Sequence, residues 1–430
     1  MKIQQGSTDI TRQMINKGVQ DIVASTPSVD TYYLDPSSAG IIEGVVNDTV
    51  ALNNTAIINS EIQAAKDGGY TVFELPTMDA YFDTAGDGSK FTMHDGAIKV
   101  PNNMHFKMTA GTVIRRQPNN YNRSHLISAC YIDLEQRGTE GMTPDIAENI
   151  EISGGTLIGE VNQHIYTQYY TVSSAATTTT AQIKIQREYV STVYPITVTP
   201  NDAITQASEI ASYLNNEIPE ADLYATSDGD VITLYGNAGI YVLMDDDTTD
   251  TSGIDFDGWQ DISYGYGVSL YGVHNGYVHD IYIKDFHGDG VFGGITASRN
   301  HDGTIPANVR TCENVLIQRV TTENCRRQGI SIVDCNGYDT VGVALPAPGG
   351  LGNSSRYGVM IDDCDITDTG RDIYTLPAYG IDLEPYRRRD ENNNLLEDAR
   401  VEGVIIKNSR FTGNRKGDID LYAPQFVNIW

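Results

Sequence analysis

Five short segments in the last third of this 430-residue chain carry one inside-outside code: GVSLY (267–271), GVFGG (290–294), GISIV (329–333), GIDLE (380–384) and DIDLY (418–422). In each, the second and fourth residues are apolar or tiny: Val268 and Leu270, Val291 and Gly293, Ile330 and Ile332, Ile381 and Leu383, Ile419 and Leu421. Alternation with period two is the mark of a strand with one buried face. A second set interleaves with the first: IYIKD (281–285), LIQRV (316–320), MIDDC (360–364) and IIKNS (405–409). No helical stretch between them is long enough for a crossover, so a doubly wound sheet is excluded. The pattern suits a solenoid, in which each coil buries its apolar residues on the coil below.

The same register predicts which side chains leave the coil. With the apolar pairs inward, the outward pairs are Ser269 and Tyr271, Phe292 and Gly294, Ser331 and Val333, Asp382 and Glu384, Asp420 and Tyr422. Stacked at ~4.8 Å, they should form one exposed strip along the solenoid axis, the expected binding surface. Successive second-position residues lie 23, 39, 51 and 38 apart. Stacking fixes strand length, so the surplus must leave as corner loops, where function usually sits.

Charge narrows the partners. With 57 acidic against 29 basic residues, the net charge is −28, which argues against nucleic acid or an anionic membrane surface as a partner. Five cysteines without a CxxC or metal-type spacing give neither a full disulfide framework nor a zinc site. Cys312, Cys325, Cys335 and Cys364 are expected to pack as small apolar residues. The N-terminus, MKIQQGSTDITRQ, lacks the apolar core of a signal peptide, and no stretch reaches membrane-spanning length.

Four regions follow. Residues 1–45 read as a polar attachment or capping arm, with a short helix around 9–23 and a Pro-marked linker near 26–38. Residues 46–165 form the first part of the solenoid. It opens with the helix-like DTVALNNTAIINSEIQAAKDGG, in which Asp48 is the expected N-cap, Ala51, Leu52, Ile57, Ile58, Ile62 and Ala65 form the buried face, and Gly68-Gly69 is the stop. Such a helix would cover the open end of the stack, which otherwise exposes unpaired backbone. Residues 166–254 break the rhythm and read as a small inserted unit with strands and one helix. Residues 255–430 return to the repeat.

The sharpest chemical signal is Asp382 with Glu384 in AYGIDLEP. Both point outward two residues apart, ~6.6 Å along one face, so each should raise the other's pKa. Paired carboxylates are the machinery of glycoside hydrolysis. The competing reading is a plain acidic ladder with Asp420. Asp289, in HGDGVFGG, lies just before the strip at the position matched by Gln328 and Tyr379. Its flanking glycines, with Gly293 and Gly294, should open the groove to a bulky ligand; otherwise it is an Asp-Gly turn. His287 beside it is a weaker base candidate. Arg326 and Arg327, with Gln328, stand at the expected mouth of the strip, and Arg387 with Arg388 and Arg389 follows the acidic strand. Guanidinium groups grip carboxylates or sulfates bidentately, or they neutralise the acids of the strip itself. Tyr271, Phe292, Tyr386 and Tyr422 could stack on sugar rings. Asp285, Asp363 and Asn408 read as turn side chains bonding neighbouring backbone.

With DTVALNNTAIINSEIQAAKDGGYTVFELP, NIEISGGTLIGE, YGYGVSLYGVHNGYVHDIYIKDFHGDGVFGG, NCRRQGISIV and AYGIDLEP in view, the chain resembles the right-handed parallel β-helix proteins of the pectate-lyase-like superfamily. It is especially similar to tailspike-type members carried by bacteriophages. The resemblance covers about residues 45–165 and 255–430, and the inserted unit looks like small modules of phage tail proteins. It implies an all-β fold, a groove for bacterial polysaccharide, depolymerase activity, location in the virion tail or outside the cell after release, and a homotrimer with other tail proteins as further partners. The chain ends at Trp430 without an evident trimerisation domain, which weighs against the trimer. Three functions are carried forward. One is an endo-acting glycoside hydrolase without cofactor, using Asp289, Asp382 and Glu384. Another is a lyase on a uronate polymer, with Ca2+ held by carboxylates and Arg326 or Arg327 at the uronate. The third is a noncatalytic glycan-binding fibre.

Overall fold

The structure, a computed structural model, describes residues 31–83, 97–118, 125–129, 147–163, 167–187, 190–217, 223–236, 242–246, 252–260, 265–294, 312–333, 358–370, 378–384, 401–421, 424–425 and 428–429. Three long parallel sheets run side by side, and the chain visits them in turn. The first holds nine strands, stacked as Thr31–Tyr33, Val72–Leu75, Met104–Met108, Ala147–Ser153, Val273–His279, Glu313–Gln318, Val359–Asp362, Val404–Lys407 and Asn428–Ile429. The second holds seven, from Asp79–Phe82 through Thr156–Ile158 and Tyr282–Lys284 to Arg410–Thr412. The third also holds seven, from Ile98–Lys99 and Ile127–Ser128 through Val268–Tyr271, Val291–Gly294, Ile330–Val333 and Tyr379–Glu384 to Gly417–Leu421. This is a parallel β-helix.

The third sheet reproduces the expected register: Val268 pairs with Val291, Val291 with Ile330, Ile330 with Ile381 and Ile381 with Ile419. The second expected set is corrected in one member. Tyr282–Lys284 of IYIKD pairs with Thr321–Glu323 in the second sheet, while Leu316, Met360 and Ile405 stack in the first on Tyr277 of GYVHD. Both segments read Tyr, apolar, polar, Asp, and alternation alone cannot say which belongs to which sheet.

Inward positions fill the coil with one continuous apolar cluster. In the first sheet a single column runs through Tyr32, Phe73, Phe106, Ile152, Val278, Ile317, Ile361 and Ile406, beginning with rings stacked 5.5 and 5.9 Å apart. Each fully buried aliphatic side chain stabilises the coil by roughly 1.5–3 kcal/mol. At the corners, the left-handed backbone positions not held by glycine are supplied mainly by Asn and Asp, which tolerate it. Asn103, Asn149, Asn275 and Asn314 all take φ of 55° to 58° and hand a side-chain hydrogen bond from coil to coil, at 2.7, 3.1 and 2.7 Å. Asp285, Asp363 and Asn408 share this conformation. Two of the side chains depart from the expected backbone bonding: Asp285 accepts from Asn324 (2.5 Å) and Asn408 donates to Asp362 (2.9 Å), bridging coils.

A helix, Asp48–Asp67, closes one end. Its N-cap is Asn47, whose side chain accepts from the Val50 amide, and Asp48 is the first helical residue instead. Ala51, Ile58, Ile62 and Ala65 are buried as expected, whereas Leu52 is exposed. Polar residues do the capping: Asn54 donates to the Tyr81 carbonyl, Thr55 to that of Asp83, and Asn59 both donates to the Ala97 carbonyl and accepts from the Lys99 amide. The edge backbone of the second and third sheets is thereby satisfied, which an apolar face alone could not do. The stretch expected as a linker before this helix contains the strand Thr31–Tyr33 and the short helix Pro36–Ala39.

Between Thr156–Ile158 and Val268–Tyr271, residues 167–260 build two antiparallel sheets around the helix Ala203–Glu217, with an apolar cluster of their own. Asp255–Gln260 pairs with Thr167–Ser174, so this unit reaches six residues beyond the expected boundary at 254. Among the described residues no helix is long and apolar enough to cross a membrane. Cys312, Cys325 and Cys364 are buried free thiols, and burial raises the pKa of each; Cys335 lies outside the described residues.

Candidate active site

The third sheet sets the phase of the acids. Ile381 and Leu383 lie in the core, so Asp382 and Glu384 emerge on the outer face, in register with Ser331 and Val333 of the coil before. Asp289 and Gln328 occupy equivalent positions just before their strands, since the Gly267 amide bonds the Asp289 carbonyl and the Gly290 amide that of Gln328. Tyr266 takes the same position one coil earlier, where its carbonyl accepts from Leu126.

The expected exposed strip is instead enclosed. Ser269, Tyr271, Phe292, Ser331 and Asp382 are all buried, Asp289 is fully so at 0%, and Glu384 is half-buried. Arg326 and Arg327 are buried as well, and Arg327 lies inside the layer and not at its mouth. The reason is a second side-chain layer outside the coil. His125 stacks on Tyr266 at 4.5 Å and Tyr266 on Phe292 at 4.6 Å, while Tyr271 leans on Phe292 at 5.1 Å. Aromatic residues on strands ~4.8 Å apart meet face to face and cover the strip themselves. Phe292 and Tyr271 are therefore packed against each other and are not free platforms for a sugar. The room expected from Gly293 and Gly294 is also taken: a Cβ on Gly294 would lie 2.5 Å from the Phe292 ring, and one on Gly293 3.0 Å from Ile332.

Charge is distributed unevenly in this enclosed layer. Arg327 approaches Asp289 Oδ2 at 3.5 Å and donates to the Tyr266 hydroxyl at 3.2 Å. Gln328 donates its amide to Asp382 Oδ2 at 2.5 Å. Burial pushes the Asp289 carboxyl up to about 6, against the pull of Arg327. Asp382 is pushed further, to about 8, by burial and then by Glu384, Asp289 and Asp420. Neither Asp289 Oδ1, Gln328 Oε1 nor Ser331 Oγ has a hydrogen-bond partner among the described residues, and all three are buried. A carboxyl held neutral beside one that ionises more readily can give a proton to a leaving oxygen while its neighbour stabilises positive charge.

His287 has a different task. Buried beside Asp289, its Nδ1 lies 2.7 Å from Glu160 Oε1 and its Nε2 accepts from the Gly265 amide at 3.3 Å. Arg116 reaches the same Glu160 oxygen at 3.3 Å, so the group is a buried staple and not a base open to substrate. Tyr386, Arg387 and Tyr422, with Arg388 and Arg389, lie outside the described residues.

Tyr266 and His125 were missed as parts of this layer. The signal was present: HLISA (125–129) fits beneath YGVSL (266–270), with Ile127 on Val268 and Ser128 on Ser269.

No family model matches the chain. It is 27% identical over 151 residues to uncharacterized protein YclG of Bacillus subtilis strain 168, across 35% of this chain and 20% of that protein. It is 24% identical over 166 residues to the SPbeta prophage-derived uncharacterized protein YorA of the same strain, across 39% and 23%. The matches thus span about a fifth of the length of these curated relatives. Three solved structures are similar at low identity. The Agl-KA catalytic domain gives a TM-score of 0.32 at 11% identity, across 94% of this chain and 58% of that one. The A-module of mannuronan C-5 epimerase AlgE4 of Azotobacter vinelandii gives 0.24 at 12%, across 93% and 100%. The Gp54 tailspike of Acinetobacter baumannii bacteriophage AP22, in complex with A. baumannii capsular saccharide, gives 0.18 at 11%, across 94% and 71%.

Proposed function

We propose that the chain is an endo-acting glycoside hydrolase that cleaves a bacterial surface polysaccharide, with Asp382 as general acid and Asp289 or Glu384 as the ionised partner. One arrangement carries this reading: Asp289 and Asp382 are buried in one layer outside the coil, the first against Arg327 at 3.5 Å and the second against the neutral Gln328 at 2.5 Å, and their carboxyls are pushed up unequally, to about 6 and about 8. Near neutral pH Asp382 keeps its proton while Asp289 has lost it, which is the division of labour that cleavage of a glycosidic bond needs. The buried polar atoms of Asp289, Gln328 and Ser331 that lack partners among the described residues support a polar ligand in the same layer. Glu384, only half-buried, is the side from which a glycan would enter. The prophage origin of one relative supports a phage setting for the chain. The lyase reading would place Ca2+ among these carboxylates, with Arg327 at the uronate, and differs from the hydrolase in its products.

The test is a panel of bacterial capsular and exopolysaccharides, with released oligosaccharides read by mass. A hydrolase adds one water per cut; a lyase leaves an unsaturated sugar and adds none. On a cleaved polymer, Asp382→Asn should lower kcat by roughly 10²–10⁴-fold. The rate of the wild type should rise with pH through about 6, as Asp289 ionises, and fall through about 8, as Asp382 does. Full activity of Asp289→Asn, Asp382→Asn and Glu384→Gln alike would place the chemistry elsewhere.

A further inference from the structure

Away from this layer, on the outer face of the first sheet, two imidazoles and a carboxylate converge. His105 and Glu151 are register partners on Met104–Met108 and Ala147–Ser153, and His279 ends the next strand, Val273–His279, two residues beyond Tyr277, the partner of Glu151. Alternation turns all three outward, because Phe106, Ile152 and Val278 on the same strands fill the core. Each side chain stays partly open to solvent, at 20%, 26% and 14%.

The distances are those of a ligand set. Glu151 Oε1 lies 3.4 Å from His105 Nε2 and 2.9 Å from His279 Nε2, and the three atoms all lie within 4.8 Å of one another. Zinc held by nitrogen and oxygen at ~2.0–2.1 Å in a tetrahedron separates its ligands by about 3.3 Å. Two of the three edges already stand close to that length.

The surroundings of His279 are ordered too. Arg319 grips Asp280 through both carboxylate oxygens, at 2.6 and 2.8 Å, and Asp280 Oδ2 lies 2.6 Å from His279 Nδ1. The other ring nitrogen, Nε2, faces Glu151 Oε1 at 2.9 Å. At His105 the Ser153 hydroxyl lies 2.6 Å from Nε2, a hydrogen bond that an ion bound at this nitrogen would replace. A carboxylate behind a ligating imidazole is the support that metal-bound histidines usually have, since it fixes the tautomer and the ring plane. Tyr277 stacks on the His279 ring at 3.9 Å and holds it further. The nearby cation Lys107 is bound to Glu74 at 2.8 Å.

We propose that His105, Glu151 and His279 bind a divalent transition-metal ion of the zinc class, with Asp280 as the positioning residue behind His279. Two imidazoles and one carboxylate select Zn2+, Co2+ or Ni2+ over Ca2+ or Mg2+, which prefer oxygen alone. The ligands come from three successive coils, so the ion would act as a clamp along the solenoid axis, independent of the acids on the third sheet.

The whole chain, stripped with a chelator, would be titrated with Zn2+ by calorimetry and with Co2+ by its visible absorption. The expected result is one ion per chain, the bands of a tetrahedral Co2+ centre, and a rise in melting temperature with Zn2+. His105→Ala and His279→Ala should each weaken Zn2+ binding by about 100-fold or more and abolish the thermal shift, while Asp280→Asn should weaken it by about 10-fold. Glu151→Gln, nearly isosteric, keeps the test decisive if a histidine variant fails to fold, and should also lose about 100-fold. Absence of stoichiometric binding to the folded wild type, or binding and thermal shift unchanged in Glu151→Gln and the folded histidine variants, would overturn the site.

Discussion

At the scale of single residues, the protonation of Asp382 is a statement about stability as well as chemistry. Its carboxyl is raised from 3.8 to about 8 in the folded chain, so folding takes up a proton that the unfolded chain releases at ordinary acidity. The contribution is complete below the unfolded value and is lost as pH rises through about 8. Asp289 adds the same sign over the narrower window that ends near 6. Melting temperatures of the wild type should therefore fall with pH across this range relative to those of Asp382→Asn, whose amide does not titrate. Parallel melting curves for the two proteins from pH 4 to 9 would show that Asp382 is ionised in the fold. Buried Arg327 pulls in the opposite direction on both acids, so its removal should raise both carboxyls further and shift the acidic limb of any pH–rate profile upward.

At the scale of elements, corners matter as much as strands. The Asn103, Asn149, Asn275 and Asn314 ladder places the same residue type, in the same left-handed conformation, on four successive coils. Asn149→Ala would lose both ladder bonds and leave at φ 55° a residue without asparagine's tolerance of the left-handed region, a cost of about 1–2 kcal/mol in denaturant unfolding; Asn149→Gly should recover the backbone part. The strands of the third sheet were legible because their apolar pairs repeat with period two, and Ile381 and Leu383 fixed the outward phase of Asp382 and Glu384 before any coordinates. Period two does not report what lies above the outward side chains. Tyr271 and Phe292 therefore read as open platforms, although stacking against Tyr266 and each other buries them. Nor does it separate YIKD from YVHD, since sheet identity depends on the corner count and not on the strand. The metal-type cluster was invisible for a related reason: His105, Glu151 and His279 are far apart in sequence and meet only through coil stacking.

At the scale of the whole molecule, the inserted unit is joined to the solenoid at one narrow place. Its first and last strands are antiparallel neighbours, with Gln168 opposite Gln260, so the two ends stand about 5 Å apart. The solenoid pins both of its own sides of that junction. Glu160, before the unit, holds His287 and Arg116, and Gly265, after it, donates its amide to His287. A Cβ at Gly265 would lie 1.6 Å from the Arg116 guanidinium, so the return of the chain is built around a glycine. The unit has its own apolar cluster, and the coil beneath it closes through pairs that do not involve it: Ile127 with Val268 and Ile158 with Lys284. Replacing residues 168–260 by a two- or three-residue Gly/Ser link should then leave a folded solenoid, because the span to be bridged is short and no solenoid core residue is removed. Far-UV circular dichroism should keep the parallel-sheet signal, and calorimetric unfolding should lose only the transition that belongs to the unit. If the proposed acids Asp289, Asp382 and Glu384 carry the reaction, the shortened chain should keep kcat on a cleaved polysaccharide, while any grip the unit has on the glycan would appear as a raised KM. Collapse of the shortened chain into an unfolded or aggregated state would instead show that the unit and the solenoid fold as one cooperative body, and that the Glu160, His287 and Gly265 staple depends on the segment it spans.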